Sequence, residues 1–419
     1  MLSFRRWARS VCCRCRSRRS CQFVLIVWCF GVFFFACLCY ELLEERISQT
    51  IRAIKCSNEE SENFLQQLCV NYTRGLASGS LCYPLCTDEI RYTECLGHGV
   101  KPHVLKASWK GKDIILKVKR MLHEKRVMKH LTENSPPFEV FDRNYFDVNV
   151  NLSYINFILN AHTIVDKKVF DYLYNECAGG DGILTYHEMW YCFTLLESDE
   201  FLLSVLLQDT HSIPNLYGTC GSVFGVEHVP GELLETLSRL LRDERSWTTK
   251  AKLGLALLDM IERLDKTPYG TLYLCDVQFA NFGVHELDSG YLVKPIDVDI
   301  AWLTAQMKQV MVDGSRVKCK SDDDCHFISC LSKCNAETHY CEPHFYSNNL
   351  INICRLIFTT DITHFKFGLF SGFPPEIEPR LSVLLQKCSM PSSRPWPHTS
   401  LVTIEQLRNL LHETINLSN

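Results

Sequence analysis

Two polar side chains interrupt the apolar stretch LYLCDVQFANFG at residues 272–283. Asp276 and Asn281 stand five positions apart there, and the later stretch PIDVDIAW carries Asp297 and Asp299. Phosphoryl transfer needs one carboxylate to orient the attacking hydroxyl, and an amide oxygen with a second carboxylate to hold metal ions on the nucleotide phosphates. The order of residue types therefore predicts Asp276 as a catalytic residue and Asn281 and Asp297 as metal ligands. Asp299 adds a further carboxylate close to the metal.

The segments on either side of these residues predict the elements that position them. Upstream, apolar residues recur at helical spacing, namely Leu253, Ala256, Leu257, Met260, Ile261 and Leu264. This pattern predicts a helix of about four turns that ends near Lys266, before the helix-breaking TPYG. Downstream, HELDSG predicts a hairpin turn and YLVKPIDVDIAWL a strand. Helix, loop with D-x4-N, hairpin and strand ending in Asp is the order of the catalytic loop and metal-binding segment of protein kinases.

A second group of residues upstream predicts the nucleotide-binding half of such a site. The stretch GHGVKPHV at residues 97–104 matches G-x-G-x-x-G-x-V, except that Pro102 replaces the third Gly. It places Gly97, Gly99 and Val104 where a phosphate-covering loop would need them. Thirteen residues later, Lys117 ends the apolar strand DIILKVK, and we expect it to pair with the nucleotide phosphates and support catalysis.

Lys117 needs a helix carboxylate to hold it, and two candidates exist. The stretch LESDEFLLSVLLQDTHSIPNLYGTCG predicts a helix followed by two strands, with Glu200 opening the apolar face of the helix. Glu124 is the other candidate, but seven residues after Lys117 leave little chain for a turn and a helix. The sequence therefore favours Glu200. The next stretch, VFGVEHVPGELLE, predicts a strand and a hinge whose backbone at 227–229 would meet an adenine edge.

Each of these residues also has an ordinary structural interpretation. Asp276 and Asn281 are residue types that close turns, and Lys117 could be an edge-strand lysine that points to water. Glu200 could be a solvated acid at the start of a helix, where the helix dipole favours it. The run of Asp322, Asp323 and Asp324 is most simply a solvated turn.

The long segment between Lys117 and Glu200 contains a loop of EF-hand character. CAGGDGILTYHE, residues 177–188, fits the twelve-residue calcium loop at Asp181, Gly182, Leu184, Thr185 and Glu188, between two helical stretches. The candidate calcium ligands are Asp181, Thr185 and Glu188. Cys177 and Gly179 occupy the first and third ligand positions, which require oxygen ligands. Losing two of about six or seven ligands weakens calcium binding, so the pattern favours the helix-loop-helix shape over the ion.

The amino-terminal residues predict a membrane anchor. Residues 1–20 hold seven Arg and no acidic residue, and residues 23–40 form an uncharged run of eighteen. That run can cross a bilayer core of roughly 30 Å as a helix. Arg before it and Glu41, Glu44 and Glu45 after it place the tail in the cytosol and the rest in the secretory lumen. A cleaved signal peptide is the competing interpretation, but no small-residue cleavage site follows the run.

Cysteine usage, sequons and charge agree with a luminal location. Sixteen of the 23 Cys lie beyond residue 40, an even number that suits disulfides. They concentrate at residues 56–95 and again at 319–341, and neither group has the spacing of a zinc site. Acceptor sequons for glycosylation begin at Asn71, Asn151 and Asn416. The net charge is −4 for the whole chain and +7 for the first twenty residues, so it is −11 for the remainder. A negative net charge argues against nucleic acid as a partner.

These features together resemble the divergent protein kinase domain 1 family, cysteine-rich type II membrane proteins of the endoplasmic reticulum. The resemblance rests on the Arg-rich tail and anchor, LCYPLC, IILK, the inserted EF-hand-like loop, DEFLLSVLLQD with IPNLYGTCG, LCDVQFANFG, IDVD and CKSDDDCHFISCLSKC. It implies an α+β, bilobal protein-kinase-like fold with an EF-hand-like helical insertion in the N-lobe, preceded by a single transmembrane helix. It also implies a double-arginine retention signal at Arg5 and Arg6, for which the residues alone leave a simple positive-inside cluster equally open.

The assignments divide the chain into consecutive parts. We expect a cytosolic Arg/Cys-rich tail at 1–22, a signal anchor at 23–40, a luminal cysteine-rich segment at 41–95, a kinase-like N-lobe at 96–230 with the insertion at about 140–195, and a kinase-like C-lobe at 231–419 with a cysteine cluster at 319–341. The expected partners are the endoplasmic reticulum membrane and luminal secretory-pathway proteins.

Departures from ordinary kinases leave two functional classes open. Leu274-Cys275 replaces the His-Arg before the catalytic Asp, Val298-Asp299 replaces the Phe-Gly after the metal-binding Asp, and no A-P-E signature follows. The first class is a luminal kinase that passes phosphate from ATP, with Mg²⁺ or Mn²⁺, to a hydroxyl of a secretory-pathway protein or glycan. The second is a pseudokinase scaffold or calcium-responsive binding module. The presence of Lys117, Asp276, Asn281 and Asp297 together favours the kinase class.

Overall fold

The computed structural model describes residues 57–97, 103–119, 140–141, 167–178, 184–196, 198–240, 247–288, 290–359, 361–362, 365–366, 368–395 and 399–417. Several predictions fall outside these ranges: the tail with Arg5 and Arg6, the anchor at 23–40, Gly99, Glu124, Asn151 and Asp181. Within the described ranges, every helix is too short or too polar to cross a bilayer.

Two amino-terminal helices and a five-stranded sheet form the first lobe, with a helical insertion. In chain order the elements are α1 (Asn58–Thr73), α2 (Cys82–Cys86), β1 (Ile90–Gly97), β2 (His103–Trp109), β3 (Lys112–Val118), β4 (Val140–Phe141), α3 (Lys167–Cys177), β5 (Leu184–Thr185), α4 (Tyr186–Leu196), α5 (Asp199–Leu206), β6 (Leu216–Cys220) and β7 (Val223–Glu227). The main sheet is antiparallel throughout, in the order β1-β2-β3-β7-β6.

The sheet buries one face against α1 and α2. Leu105 and Leu116 on the sheet and Leu81 beside α2 belong to one apolar cluster, which is removed from water. A disulfide from Cys82 to Cys220 joins α2 to the sheet, and one from Cys69 to Cys86 joins α1 to α2. β1 begins at Ile90, inside the stretch expected to be the cysteine-rich segment, because its backbone pairs with β2 from Ile90 to Gly97.

The insertion is a pair of helices attached to the sheet. Helices α3 and α4 flank the predicted calcium loop, and β5, which lies within the loop, pairs with β4. A disulfide links Cys177 to Cys192, so the sulfur at the first loop position is bonded to α4. Glu176 in α3 accepts hydrogen bonds from the backbone and hydroxyl of Thr219 in β6, both at 2.8 Å. Helix α4 then packs against α5, which carries Glu200.

The second lobe is mainly helical. Its elements are α6 (Leu233–Leu240), α7 (Trp247–Asp265), β8 (Leu272–Leu274), β9 (Phe282–Leu287), β10 (Gly290–Pro295), β11 (Ala301–Leu303), α8 (Thr304–Gly314), α9 (Asn349–Ile353), β12 (Asp361–Ile362), β13 (Phe365–Lys366), α10 (Glu378–Ser389) and α11 (Leu401–Leu417). Helix α7 confirms the predicted helix to within one residue of its end. Its apolar positions are buried together with side chains of α10 and α11.

The predicted cysteine cluster, residues 319–341, is held by disulfides. Cys319 joins Cys334, and Cys325 joins Cys341. Three of these sulfur atoms lie within 4.8 Å of one another, a spacing that also suits a metal ion. Because the sulfurs are bonded in pairs they cannot act as thiolate ligands, which excludes zinc here. Further disulfides join Cys275 to Cys330 and Cys354 to Cys388.

Candidate active site

A cavity of about 550 Å³ lies between the main sheet and the residues on either side of the β9–β10 hairpin, at 280–281 and 296–299. Its lining combines apolar side chains with a few charged groups, as is usual for small-molecule sites. The lining residues include Val104, Ile115, Lys117, Lys119, Glu200, Val226, Glu227, His228, Val229, Asn281, Ile296, Asp297 and Asp299. Residues predicted from two distant parts of the sequence therefore share one cavity.

The sheet side of the cavity carries a buried ion pair. Lys117 lies near the end of β3, and its ammonium group contacts the carboxylate of Glu200 in α5. Both side chains are buried, and Lys117 also donates to the carbonyl oxygen of Ile296 at 2.8 Å. This last contact links the sheet lobe to the segment that holds Asp297.

A second lysine reaches the same carboxylate. Lys119 follows Lys117 by two positions and so projects from the same side of the chain. Its Nζ lies 3.7 Å from Oε2 of Glu200, and it lines the cavity. Asp199 is next to Glu200 in sequence, and burial raises the pKa of its carboxyl, although the charge on Lys119 opposes the shift. Two cations of the cavity wall, Lys117 and Lys119, therefore lie within reach of Glu200, and sequence reasoning identified only Lys117.

The predicted hinge closes another wall of the cavity. Glu227, His228 and Val229 all line the cavity, and the amide of Glu227 donates a hydrogen bond to the carbonyl of Asn215 at 2.8 Å. The carboxylate of Glu227 pairs with the fully buried Lys294 at 2.7 Å. Burial, with a contribution from the charge on Lys106, lowers the pKa of His228.

The loop at residues 275–281, called the catalytic loop after its predicted role, is a tight turn that Asn281 closes. The amide of Asn281 donates to both the backbone carbonyl and the carboxylate of Asp276, each at 2.9 Å. Gln278 donates to the same carboxylate at 3.1 Å. The Oδ1 of Asn281 accepts a hydrogen bond from the side-chain amide of Gln278 at 3.3 Å, and Asn281 lines the cavity. Because an amide oxygen has two lone pairs, turn closure and metal binding are compatible at Asn281. Asp276 itself does not line the cavity.

The segment after β10 brings the remaining carboxylates to the loop. The amide of Ile296 donates to the carbonyl of Asn281 at 2.8 Å, so Asp297 follows directly on a residue bonded to the catalytic loop. Asn281, Asp297 and Asp299 line the cavity together. Carboxylate and amide oxygens are the hard ligands that Mg²⁺ and Mn²⁺ prefer. The donor set fits a divalent ion held beside nucleotide phosphates.

The other predicted residues lie elsewhere. Gly97 ends β1 opposite Val104, and only Val104 of this pair lines the cavity. Glu188 is buried in α4. Asn71 lies in α1, where its side chain donates to the hydroxyl of Tyr191 at 3.2 Å, and Asn416 lies in α11. Glycosylation of Asn71 and Asn416 and calcium binding at Glu188 and Thr185 stay predictions.

Two family models match the chain over most of its length. One, described as the N-terminal cysteine-rich endoplasmic reticulum region of FAM69, matches residues 14–142. The other, described as the protein-kinase domain of FAM69, matches residues 192–391. The chain belongs to the FAM69 family. Its fold therefore contains a kinase-like domain, and the second match includes Glu200, Asp276, Asn281, Asp297 and Asp299.

One departure of this FAM69 protein from ordinary kinases forms a disulfide next to the catalytic loop. Cys275 stands where kinases place the Arg before the catalytic Asp, and here it is bonded to Cys330 of the cysteine cluster. Sequence reasoning identified the replacement but not the bond. The cysteine cluster thus lies against the catalytic loop, in the chain region where ordinary kinases carry the activation segment.

Proposed function

We propose that this FAM69 protein binds ATP with Mg²⁺ or Mn²⁺ in the cavity and transfers phosphate to a hydroxyl of a secretory-pathway protein or glycan. One observation carries the proposal: the Lys117–Glu200 pair lines the same cavity as Asn281, Asp297 and Asp299. A scaffold has no physical need of cations and metal ligands together in one cavity.

Each residue then has a definite task. Lys117, held by Glu200, binds phosphate oxygens, and Lys119 adds a second positive charge on the same wall. Asn281, Asp297 and Asp299 would hold the divalent ion, which neutralises charge on the phosphates. Asp276, oriented by Asn281 and Gln278, accepts the proton of the attacking hydroxyl. Val104, Val226 and Val229 supply an apolar surface for the nucleobase.

The location belongs to the same proposal. Disulfides throughout the described ranges and the cysteine-rich endoplasmic reticulum match support an oxidising lumen. We propose that residues 23–40 anchor the chain there as a single-pass type II membrane protein, with Arg5 and Arg6 as its retention signal. Acceptors would then be proteins or glycans that pass through the lumen.

The test is thermal unfolding of the oxidised full-length chain with and without ATP and Mn²⁺. A ligand at one hundred times its Kd stabilises by about 2.7 kcal/mol, a readily measured shift. We expect the wild type to shift and Asp297→Asn to lose most of the shift. The matched control is Asp288→Asn, an exposed acid in the nearby hairpin, which should shift like the wild type. If the wild type does not shift, the scaffold class replaces this proposal.

A further inference from the structure

The catalytic loop is fastened to the cysteine cluster on both sides of Asp276. Before Asp276, Cys275 forms a disulfide with Cys330, and its carbonyl accepts a hydrogen bond from the amide of Ser329 at 2.9 Å. After Asp276, the amide of Val277 donates to the hydroxyl of Ser329 at 3.0 Å. Ser329 therefore holds both neighbours of Asp276.

All of these contacts are shielded from water. Cys275 and Cys330 are almost fully buried, and Ser329 and Val277 expose 4% and 5% of their surface. A buried amide that loses its acceptor stays unsatisfied, which makes the Ser329 hydroxyl hard to replace. Beneath the loop, a small apolar cluster contains Cys275, Cys330, Trp302, Met307, Met311 and Phe345.

A third contact fixes the orientation of the cysteine cluster on the lobe. The ring of Phe327, two residues before Ser329, packs on Trp302 with ring centres 4.9 Å apart. Trp302 lies in β11, which pairs with β8 directly ahead of the catalytic loop, opposite Tyr273. The cysteine cluster and the catalytic loop are therefore attached to the same short sheet as well as to each other.

Ordinary kinases orient their catalytic loop differently. Many use the Arg before the catalytic Asp to bind a phosphate on the activation segment, so the site becomes ordered only after phosphorylation. That Arg is Cys275 here, and the cysteine cluster is tied down by its own disulfides. We propose that Ser329, together with the Cys275–Cys330 disulfide, positions Asp276 for phosphoryl transfer without an activating phosphate. This inference rests on the proposed function, because it assigns regulation of that same site.

Ser329→Ala is the informative variant, and the chain offers a matched control. Ser332 is buried to a similar degree in the same cysteine cluster, but its hydroxyl donates to the carbonyls of Glu342 and His344, away from the catalytic loop. Ser332→Ala therefore makes the same chemical change without touching Asp276 or its neighbours. Ser329→Thr keeps a hydroxyl and serves as the conservative rescue.

Two readouts are taken on the oxidised full-length chain. The first is ATP turnover with Mn²⁺, followed as ADP release with water as the acceptor, which gives kcat and KM separately. Ser329→Ala should lower kcat by between about 10-fold and 100-fold with KM for ATP unchanged, since small misplacements of a catalytic group have effects of that size. Ser329→Thr should recover most of the loss, and Ser332→Ala should match the wild type.

The second readout is hydrogen exchange at the amide of Val277, which needs no activity. Ser329→Ala should speed this exchange about fivefold, because the amide loses its acceptor, while Ser332→Ala leaves it unchanged. Equal loss of kcat in both alanine variants, or unchanged exchange in Ser329→Ala, overturns the inference. If the wild type neither binds nor hydrolyses ATP, the proposed function fails, and exchange at Val277 alone still decides whether Ser329 holds the loop.

Discussion

Disulfides serve the sheet lobe and the cysteine cluster in different ways. In the sheet lobe, Cys69–Cys86 joins residues 17 apart, but Cys82 and Cys220 are 138 residues apart in sequence, and both are fully buried. In the cysteine cluster, Cys319–Cys334 and Cys325–Cys341 join residues 15 and 16 apart. A long-range bond restricts much of the unfolded chain, whereas a short one mainly fixes local shape.

The difference matches how much apolar surface each region buries. The sheet lobe has a continuous apolar cluster, and its long-range disulfide adds to a core that already exists. Apart from its cysteines, the cysteine cluster contributes few buried apolar side chains. Short disulfides therefore replace a hydrophobic core there, as they do in small secreted domains. The comparison indicates that Cys82–Cys220 mainly stabilises the fold, whereas the two short disulfides mainly fix the shape of the cysteine cluster beside the catalytic loop.

Removal of the long-range disulfide should have the largest effect on stability. The variant with Cys82→Ala and Cys220→Ala should lose about 5 kcal/mol, and the variant with Cys319→Ala and Cys334→Ala about 3 kcal/mol, because the entropy of loop closure grows with loop length. Guanidinium unfolding of each oxidised chain measures both values. A larger loss from the short bond would break the comparison.

Loss of the buried Lys117–Glu200 ion pair in the sheet lobe should have the next largest effect on stability. Lys117→Met leaves the carboxylate of Glu200 buried with only Lys119 nearby, at 3.7 Å, and should lower the free energy of unfolding by about 3 kcal/mol. Adding Glu200→Leu should restore part of this loss, since an apolar pair avoids the buried charge. Urea unfolding of the single and double variants gives both numbers.

An exposed ion pair supplies the control for that experiment. Arg380 and Glu413 form a pair at 2.8 Å between α10 and α11, with both side chains largely in water. Arg380→Met should not change stability measurably. If it matched the loss in Lys117→Met, burial of the Lys117–Glu200 pair would not be the reason for its effect.

The smallest expected effect is a pH dependence in the cysteine cluster. Backbone amides of Lys320 and Ser321 donate to Asp324 and lower the pKa of its carboxyl. The unfolded value is about 3.9, so this stabilisation is fully present above about pH 4 and is lost as pH falls through the lower folded pKa. Melting temperatures between pH 5 and pH 2 should fall less steeply for Asp324→Asn than for the wild type. Identical slopes would show that the turn does not depend on this charge.

Local patterns made part of the molecule predictable. Helix α7, the β9–β10 hairpin and the strand that carries Lys117 follow from apolar periodicity and from Gly and Pro signals. Asp276, Asn281 and Asp297 lie within 22 residues, so their relative placement depends on short-range structure. Glu200 could be chosen over Glu124 because chain length limits which helix can reach β3.

Contacts between residues far apart in the chain could not be predicted from the sequence. Disulfide connectivity cannot be deduced from spacing, so the bond from Cys275 to Cys330 and the role of Ser329 had no signal. In the sequence, nothing distinguishes Lys119 from other charged residues at strand ends. Its contact with Glu200 depends on the position of α5. The amide of Glu227 donates to the carbonyl of Asn215, and this hydrogen bond depends on how β6 and β7 pair.

The most direct test of the account separates ATP binding from phosphate transfer at Asp276. Because Asp276 does not line the cavity, Asp276→Asn should keep the thermal shift produced by ATP and Mn²⁺. The same variant should lose at least about 100-fold in ADP release, since it can no longer accept a proton. Retained binding with lost turnover is the predicted result. Turnover equal to the wild type would contradict the catalytic assignment and the phosphotransfer function built on it.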